Sequence, residues 1–369
     1  MERNSLPASL QTLYKWYSEK NTLRFDLVFQ RKIGYWNNIT KSMLIWSVLT
    51  NSYIPPVLLV KADEDIIDDK GKSSSVYSVL DGSHRLSTLF SFMNDEFSLH
   101  GAVPAIDIDE GVFELAGKKF SDLEQELQNL LNSFKLSLQV ISHATDEELT
   151  TLYTNINSGR ELSVLSKTKP KLGIELCEYF ADICEMPFIS QGLALSATQV
   201  LKEEDLACCL QGLMLISNYN DFKSLSLKEC EKFAPWLREN MQNQLQQDFK
   251  DIIEYLGVFN TRTKYLKKNN VSIIIKLTEQ IILEDIDAEA FKAFLDDFFE
   301  NENEDYKEAS GVGNVKLSKV NARYEILAKA AEKWFNLSLL EGVENSETNT
   351  ESLSSAEDSQ QTENLAEVI

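Results

Sequence analysis

Asp81, Gly82, Ser83, His84 and Arg85 stand together where a short apolar run, 76–80, gives way to a helical pattern. A strand ending at Leu80, a turn at Asp81-Gly82 and a helix opening at Ser83 would aim backbone N–H groups and the positive end of a helix dipole at one point. That arrangement suits a phosphate. Gly82 lets a ligand approach the backbone, and the amides from Ser83 onward would cradle it. Arg85 can grip a phosphate through two parallel hydrogen bonds. His84 could contact phosphate or serve as an acid or a base, since histidine is the side chain whose unperturbed pKa lies near neutrality. Asp81 can hold Mg2+ or orient a water. Asp81 and His84 are therefore the catalytic candidates, and Asp81 is the candidate metal ligand. A plainer reading stays open, in which Asp81 or Ser83 caps the helix and Arg85 is a surface side chain.

Gln30 and Arg31 follow an apolar segment, Leu27-Val28-Phe29, that reads as a strand, and Tyr35-Trp36 come just after. A polar, cationic pair beside aromatic rings suits a nucleotide. The alternative is an edge arginine in water with Trp36 in the core. Further on, Asn157 and Arg160 can face the same ligand, with Gly159 ending a helix in the left-handed conformation. Lys167, Lys169 and Lys171 read as a solvated basic loop that would add positive field. Arg262, Lys264, Lys267 and Lys268 read as a solvated face, with DNA contact as the alternative. The sequence has no GxxxxGK[ST] and no GxGxxG phosphate loop. Its three histidines and five cysteines are not spaced as a zinc site.

The elements that must position these residues follow from periodicity and punctuation. Residues 8–20 read as a helix, 25–31 as an extended segment and 39–51 as a helix stopped by Ile54-Pro55-Pro56. Strands are expected at 57–60 and 76–80, with a polar loop over 61–75 between them. A helix is expected from 83 to 93, strands within 103–120 joined at Ala116-Gly117, and a strand over 134–141. Ser121 with Glu124, and Thr145 with Glu148, read as capping boxes that open helices. From about 170 the pattern is helical: 174–185, 201–217, 226–256, 271–283, 287–300 and 318–337. The fold class is α+β: a mixed-sheet domain over 1–170, then an all-α domain over 171–340, then an acidic tail over 341–369 expected to be disordered.

The chain has 369 residues, is 43% hydrophobic and carries a net charge of −22. That size supports more than one core, and that charge argues against non-specific coating of nucleic acid. The charge is uneven. Residues 1–60 hold seven basic and three acidic side chains, whereas the tail holds eight carboxylates and no Lys or Arg. No signal peptide and no transmembrane run is expected, and the cysteine pattern fits a reducing cytoplasm.

Four signals occur in a fixed order. They are Phe29-Gln30-Arg31 with Tyr35-Trp36; Ile54-Pro55-Pro56 before Val57; Val79-Leu80-Asp81-Gly82-Ser83-His84-Arg85; and Asn155-Ile156-Asn157-Ser158-Gly159. Over about residues 20–170 this resembles the DGQQR-motif family of the ParB/sulfiredoxin-like superfamily. Its members include the N-terminal domains of GmrSD-type modification-dependent restriction enzymes and of the phosphorothioate sensor SspE. The resemblance implies a ParB-like mixed-sheet domain that binds a nucleoside triphosphate (NTP), and Mg2+ is a further expectation that rests on Asp81. By resemblance Asp81, Gly82 and Arg85 take the core motif positions, Gln30 and Arg31 the upstream pair, and Asn157 and Gly159 the downstream pair. With Ser83 and Arg160 from the local reading, Gln30, Arg31, Gly82, Ser83, Arg85, Asn157 and Arg160 are the expected phosphate-binding residues. Ser83 and His84 replace the family's two glutamines, which puts nucleotide preference and turnover in question. Residues 144–369 contain no histidine, so no HNH nuclease is expected in this chain. The leading expectation is an NTP-binding protein, at most a weak Mg2+-dependent NTPase, that senses or regulates DNA in a phage-defence or phage-borne setting. The first alternative is a non-enzymatic interaction protein on a degenerate ParB-like scaffold, engaging a protein partner through the helical domain or acidic tail. The second is a ParB-like nicking nuclease.

Overall fold

The computed structural model describes residues 1–339 except Tyr35, 68–70, Lys72, 109–110, 159–162 and Glu302, and at Glu64 the backbone alone. Gly159, Arg160 and the acidic tail therefore lie outside the described residues. The chain forms two compact units. One comprises Met1–Ala181 with Ala197–Glu203; the other comprises Asp182–Ser196 with the residues from Glu204 onward.

The first unit is built on a five-stranded mixed sheet. Its strands are β1 (Glu2–Ser9), β2 (Leu23–Arg24), β3 (Val57–Ile67), β4 (Ser73–Asp81) and β7 (Lys135–Ser142), in the order β1-β7-β3-β4-β2. β1 runs antiparallel to β7, β3 parallel to β7, β3 antiparallel to β4, and β2 parallel to β4. A separate two-stranded pair joins β5 (Ile106–Ile108) to β6 (Gly111–Phe113). Helices α1 (Leu10–Ser18), α2 (Asn38–Leu49), α3 (Ser83–Met93) and α4 (Gln125–Ser133) share a core with the sheet. Leu13, Ile45, Leu89 and Leu127 meet Leu59, Val79 and Leu138 there. Leu80 follows Val79 in β4 and so points to the opposite face, where it is also buried. Then come α5 (Asp146–Ile156), α6 (Val164–Leu172), α7 (Ile174–Glu185) and α8 (Ala197–Leu201).

Local sequence explains much of this. Thr145 and Glu148 cap α5 reciprocally, at 2.9 and 3.3 Å, as the S/T-x-x-E spacing requires. Asn37 caps α2. Several expectations are corrected. Residues 61–75 are not a loop, because β3 and β4 extend into it and pair Ile66 with Ser74 across a bulge. Their side chains are polar because that end of the hairpin faces water. Residues 2–9 form an edge strand that periodicity does not reveal, since few of them are buried. Pro7 is tolerated on such an edge. Residues 25–31 are not extended: β2 stops at Arg24, and Val28-Phe29 form a turn. The turn at Ala116-Gly117 exists, but β5 and β6 lie before it. Residues 121–124 do not open a helix, since a 3-10 turn (Phe120–Asp122) comes first and α4 starts at Gln125.

The second unit is helical: α9 (Glu204–Ile216), α10 (Leu227–Asn240), α11 (Asn243–Tyr255), α12 (Lys268–Leu283), α13 (Ala288–Glu300), α14 (Glu304–Ala309) and α15 (Leu317–Phe335). The single helix expected over 226–256 is two, broken at Met241-Gln242. α12 is buried on nearly every side through Val271, Ile273, Ile274, Ile275 and Leu277. Gly212 lets α9 come against it, because a Cβ there would meet Ile275 at 2.7 Å. Among the described residues no helix is long and apolar enough to cross a membrane.

Candidate functional site

β4 ends at Asp81 and α3 begins at Ser83, so the reversal falls on Gly82. Gly82 has φ +101°, a left-handed conformation that penalises any side chain. A Cβ there would also lie 3.0 Å from both Arg85 Nη2 and Val57 Cγ2. No side chain caps α3, so its N-terminus is offered to whatever lies in front. What lies in front is a cleft of about 80 Å3, lined by Gln30, Arg31, Trp36, the residues 80–85, Tyr153 and Asn157. Residues more than a hundred positions apart in sequence thus converge on the uncapped helix end.

Each side chain has a definable job. Gln30 Nε2 donates to the carbonyls of Val79 (2.7 Å) and Leu80 (2.9 Å), and Gln30 Oε1 accepts from Ser83 Oγ at 3.1 Å. The amide thereby replaces strand pairing along β4 where β2 has ended, and fixes Ser83 at the first turn of α3. Arg85 is 8% exposed. Its Nη1 donates to Pro55 O (2.9 Å), and its Nη2 to Pro56 O (3.2 Å) and Asp81 Oδ2 (2.9 Å). The guanidinium ties the turn before β3 to the end of β4, with Asp81 and Arg85 as a half-buried i,i+4 ion pair. His84 stacks on Trp36, with ring centroids 5.9 Å apart and planes at 17°. Asn157 is buried and donates to Tyr153 O at 2.9 Å, closing the last turn of α5. Tyr153 is buried against Phe29. Burial raises its hydroxyl pKa, aided by the charges of Glu203 and Asp81 and opposed by a hydrogen bond and charge from Arg31.

Residues 13–173 match the family described as the GmrSD restriction endonuclease, N-terminal domain. All of the described cleft residues fall within the matched stretch. No curated protein and no solved structure matches the chain.

In the N-terminal unit two residues matter that sequence spacing misplaced or missed. Lys169 is not in a solvated loop. It lies in α6, 12% exposed, and its Nζ donates to Gln30 O and to Glu203 Oε1, the latter at 2.7 Å. Glu203 is 3% exposed at its side chain and takes a left-handed φ of +61°. The pair pins the 28–31 turn from behind. A lysine two residues from two others carries no signal of which one turns inward, and nothing near Glu203 marks it as a partner. Tyr153 was visible only as one position on a helix face. The cleft and its bracing thus gather Arg31, Arg85 and Lys169 against Asp81 and Glu203. Asp81 is the single carboxylate lining the cleft, and no group of three or more His, Cys, Asp or Glu gathers for a metal among the described residues. Such a donor set suits Mg2+ only when phosphate oxygens complete its shell, as it commonly does with one or two carboxylates plus substrate phosphates.

Proposed function

We propose that the GmrSD-type domain binds the phosphate groups of a nucleoside triphosphate in the cleft before α3, and that this occupancy regulates DNA sensing in a phage-defence or phage-borne restriction setting. The observation that carries the reading is the convergence of Gln30, Arg31 and Asn157 on an uncapped helix N-terminus built around Gly82. The α3 dipole and first-turn amides favour an anion there. Arg31 supplies the charge that meets it. Arg85 is a positioning residue, since its donors already hold Pro55, Pro56 and Asp81. The cleft has room for phosphate groups, and the base and sugar would rest beyond it toward Trp36 and His84. Mg2+ would arrive with the nucleotide, held by Asp81 and the phosphates, where it neutralises charge on the phosphoryl oxygens.

Binding with slow or no turnover fits the residues better than rapid hydrolysis. Among the described residues Asp81 is the lone carboxylate lining the cleft, and one of its oxygens is committed to Arg85. His84 is left as the acid–base candidate, with its ring held flat on Trp36. The same commitment favours, as the second reading, a scaffold that engages a protein partner without chemistry. Calorimetric titration of the full chain with each of the four NTPs and Mg2+ separates the two. Saturable binding that is lost in Arg31→Ala supports the nucleotide reading. Absence of binding by every NTP sinks it.

A further inference from the structure

The helical unit holds a second pocket, of about 270 Å3, that the N-terminal cleft does not explain. Its walls are aromatic. Tyr265 lies flat on Phe299, with centroids 4.5 Å apart and planes at 12°, and Phe298 and Phe299 both meet Tyr306 edge-on. These rings are fixed by their polar ends. The Tyr265 hydroxyl donates to Asp296 Oδ1 (2.7 Å), the Tyr306 hydroxyl to Asn270 Oδ1 (3.2 Å), and Asn270 Nδ2 to Tyr265 O (2.9 Å). A rigid aromatic wall loses little entropy when a flat ligand settles on it.

Two polar groups lining the pocket are not used up. The buried Ser310 hydroxyl has no hydrogen-bond partner among the described residues, a costly state for a folded protein. The Asn269 side chain makes no hydrogen bond among the described residues, while its backbone carbonyl accepts from Arg323. Arg323 is 1% exposed. Its guanidinium donates to the carbonyls of Lys319, Asn269 and Asn314, and no carboxylate pairs with it among the described residues. An unpaired buried cation behind the pocket floor is unusual. It makes the floor positive. At the surface, Arg262, Lys264 and Lys267 make no ion pair among the described residues, and Lys267 lines the pocket. Of the two lysines lining the pocket, Lys307 lies 3.9 Å from Glu304, so Lys267 is the cation offered to an anionic ligand.

Aromatic walls, an unengaged amide and hydroxyl, a buried guanidinium behind Asn269 and the cationic Lys267 point to one ligand chemistry. We propose that this pocket takes a nucleoside monophosphate unit. The base would lie against the aromatic wall, its ring heteroatoms would meet Asn269 and Ser310, and its phosphate would meet Lys267. The unit is either a free mononucleotide or one nucleotide of a single strand, and these share the chemistry. The site is independent of the triphosphate cleft.

The test titrates the full chain with AMP, CMP, GMP, UMP, a short single-stranded oligonucleotide of mixed sequence, and inorganic phosphate. At least one monophosphate or the strand is expected to bind saturably, and inorganic phosphate alone at least tenfold more weakly. Asn269→Ala and Lys267→Ala are each expected to weaken binding at least tenfold, and Arg31→Ala to leave it unchanged. Ser310→Ala should weaken binding while holding or raising the melting temperature, which separates a ligand contact from a folding defect. A strand that binds far more tightly than any monophosphate identifies nucleic acid as the source; equal affinity identifies the free nucleotide. The proposal is overturned if neither binds, if phosphate binds as well as the nucleotides, or if binding is lost in Arg31→Ala and kept in Asn269→Ala.

Discussion

Gly82 and Arg85 set the geometry of the cleft in different ways, and each can be tested alone. Gly82→Ala forces a side chain into a φ of +101° and against Val57 and Arg85, so it should destabilise the N-terminal unit by upward of about 1 kcal/mol. Arg85→Lys keeps the charge but cannot reproduce the fork that serves Pro55, Pro56 and Asp81 together. Leaving one or more buried acceptors without a donor should cost roughly 1–3 kcal/mol. Urea unfolding followed by circular dichroism reads both effects. A Gly82→Ala variant as stable as the native chain would refute the strained-turn account. The role of Gly82 was legible in the sequence, because a strand, a glycine and a helix in succession leave few conformations. The direction of Arg85 was not. Its i,i+4 spacing to Asp81 was visible, but the carbonyls of Pro55 and Pro56 are about thirty residues away in sequence, and only the fold brings them near.

At the scale of elements, α6 and the Glu203 segment brace the turn that carries Gln30 and Arg31. The brace is one buried ion pair, Lys169 with Glu203, whose side chains are 12% and 3% exposed. Lys169→Met removes the cation and strands a buried carboxylate, so it should cost on the order of 3–5 kcal/mol. The double variant Lys169→Met/Glu203→Leu should recover much of that loss, because paired apolar replacements of buried ions are often tolerated. Chemical denaturation of the two variants checks this, and a double variant less stable than the single would contradict it. The elements themselves were unevenly legible. α5 and α10 announce themselves through capping residues, and α3 and most of the later helices through a 3.6-residue period. β1 and the outer halves of β3 and β4 do not, because strand pairing holds them while their side chains face water. The 61–75 hairpin looked like a loop for the same reason.

At the scale of the molecule, the two proposed sites would each have to draw an anion to a chain that carries a charge of −22. Removing residues 341–369 deletes eight carboxylates and no basic side chain. Triphosphate affinity should therefore rise on truncation at low ionic strength, and the difference should vanish near 1 M salt, where the Debye length falls to about 3 Å. Titrations at two salt concentrations measure it, and a salt-independent change would mean that the tail acts by contact and not by charge. The two-part architecture was legible from the change of periodicity near residue 170. The family match over residues 13–173 agrees with the motif order that suggested it. Arg160 and Gly159, which that order also placed at the site, lie outside the described residues. The cleft owes its shape to Tyr153, Trp36 and the Lys169 brace as much as to the motif residues, and those contributions rest on packing that no local pattern encodes.

The central claim is that a triphosphate sits before α3, against Gln30 and Arg31. Hydrogen exchange of the full chain, resolved to short peptides with and without Mg2+-NTP, reads this directly. The account predicts slowed exchange over 28–36 and 80–86 in the native chain, and none of that protection in Arg31→Ala. Nucleotide-dependent protection confined to other segments, or protection of 80–86 that survives Arg31→Ala unchanged, would contradict it.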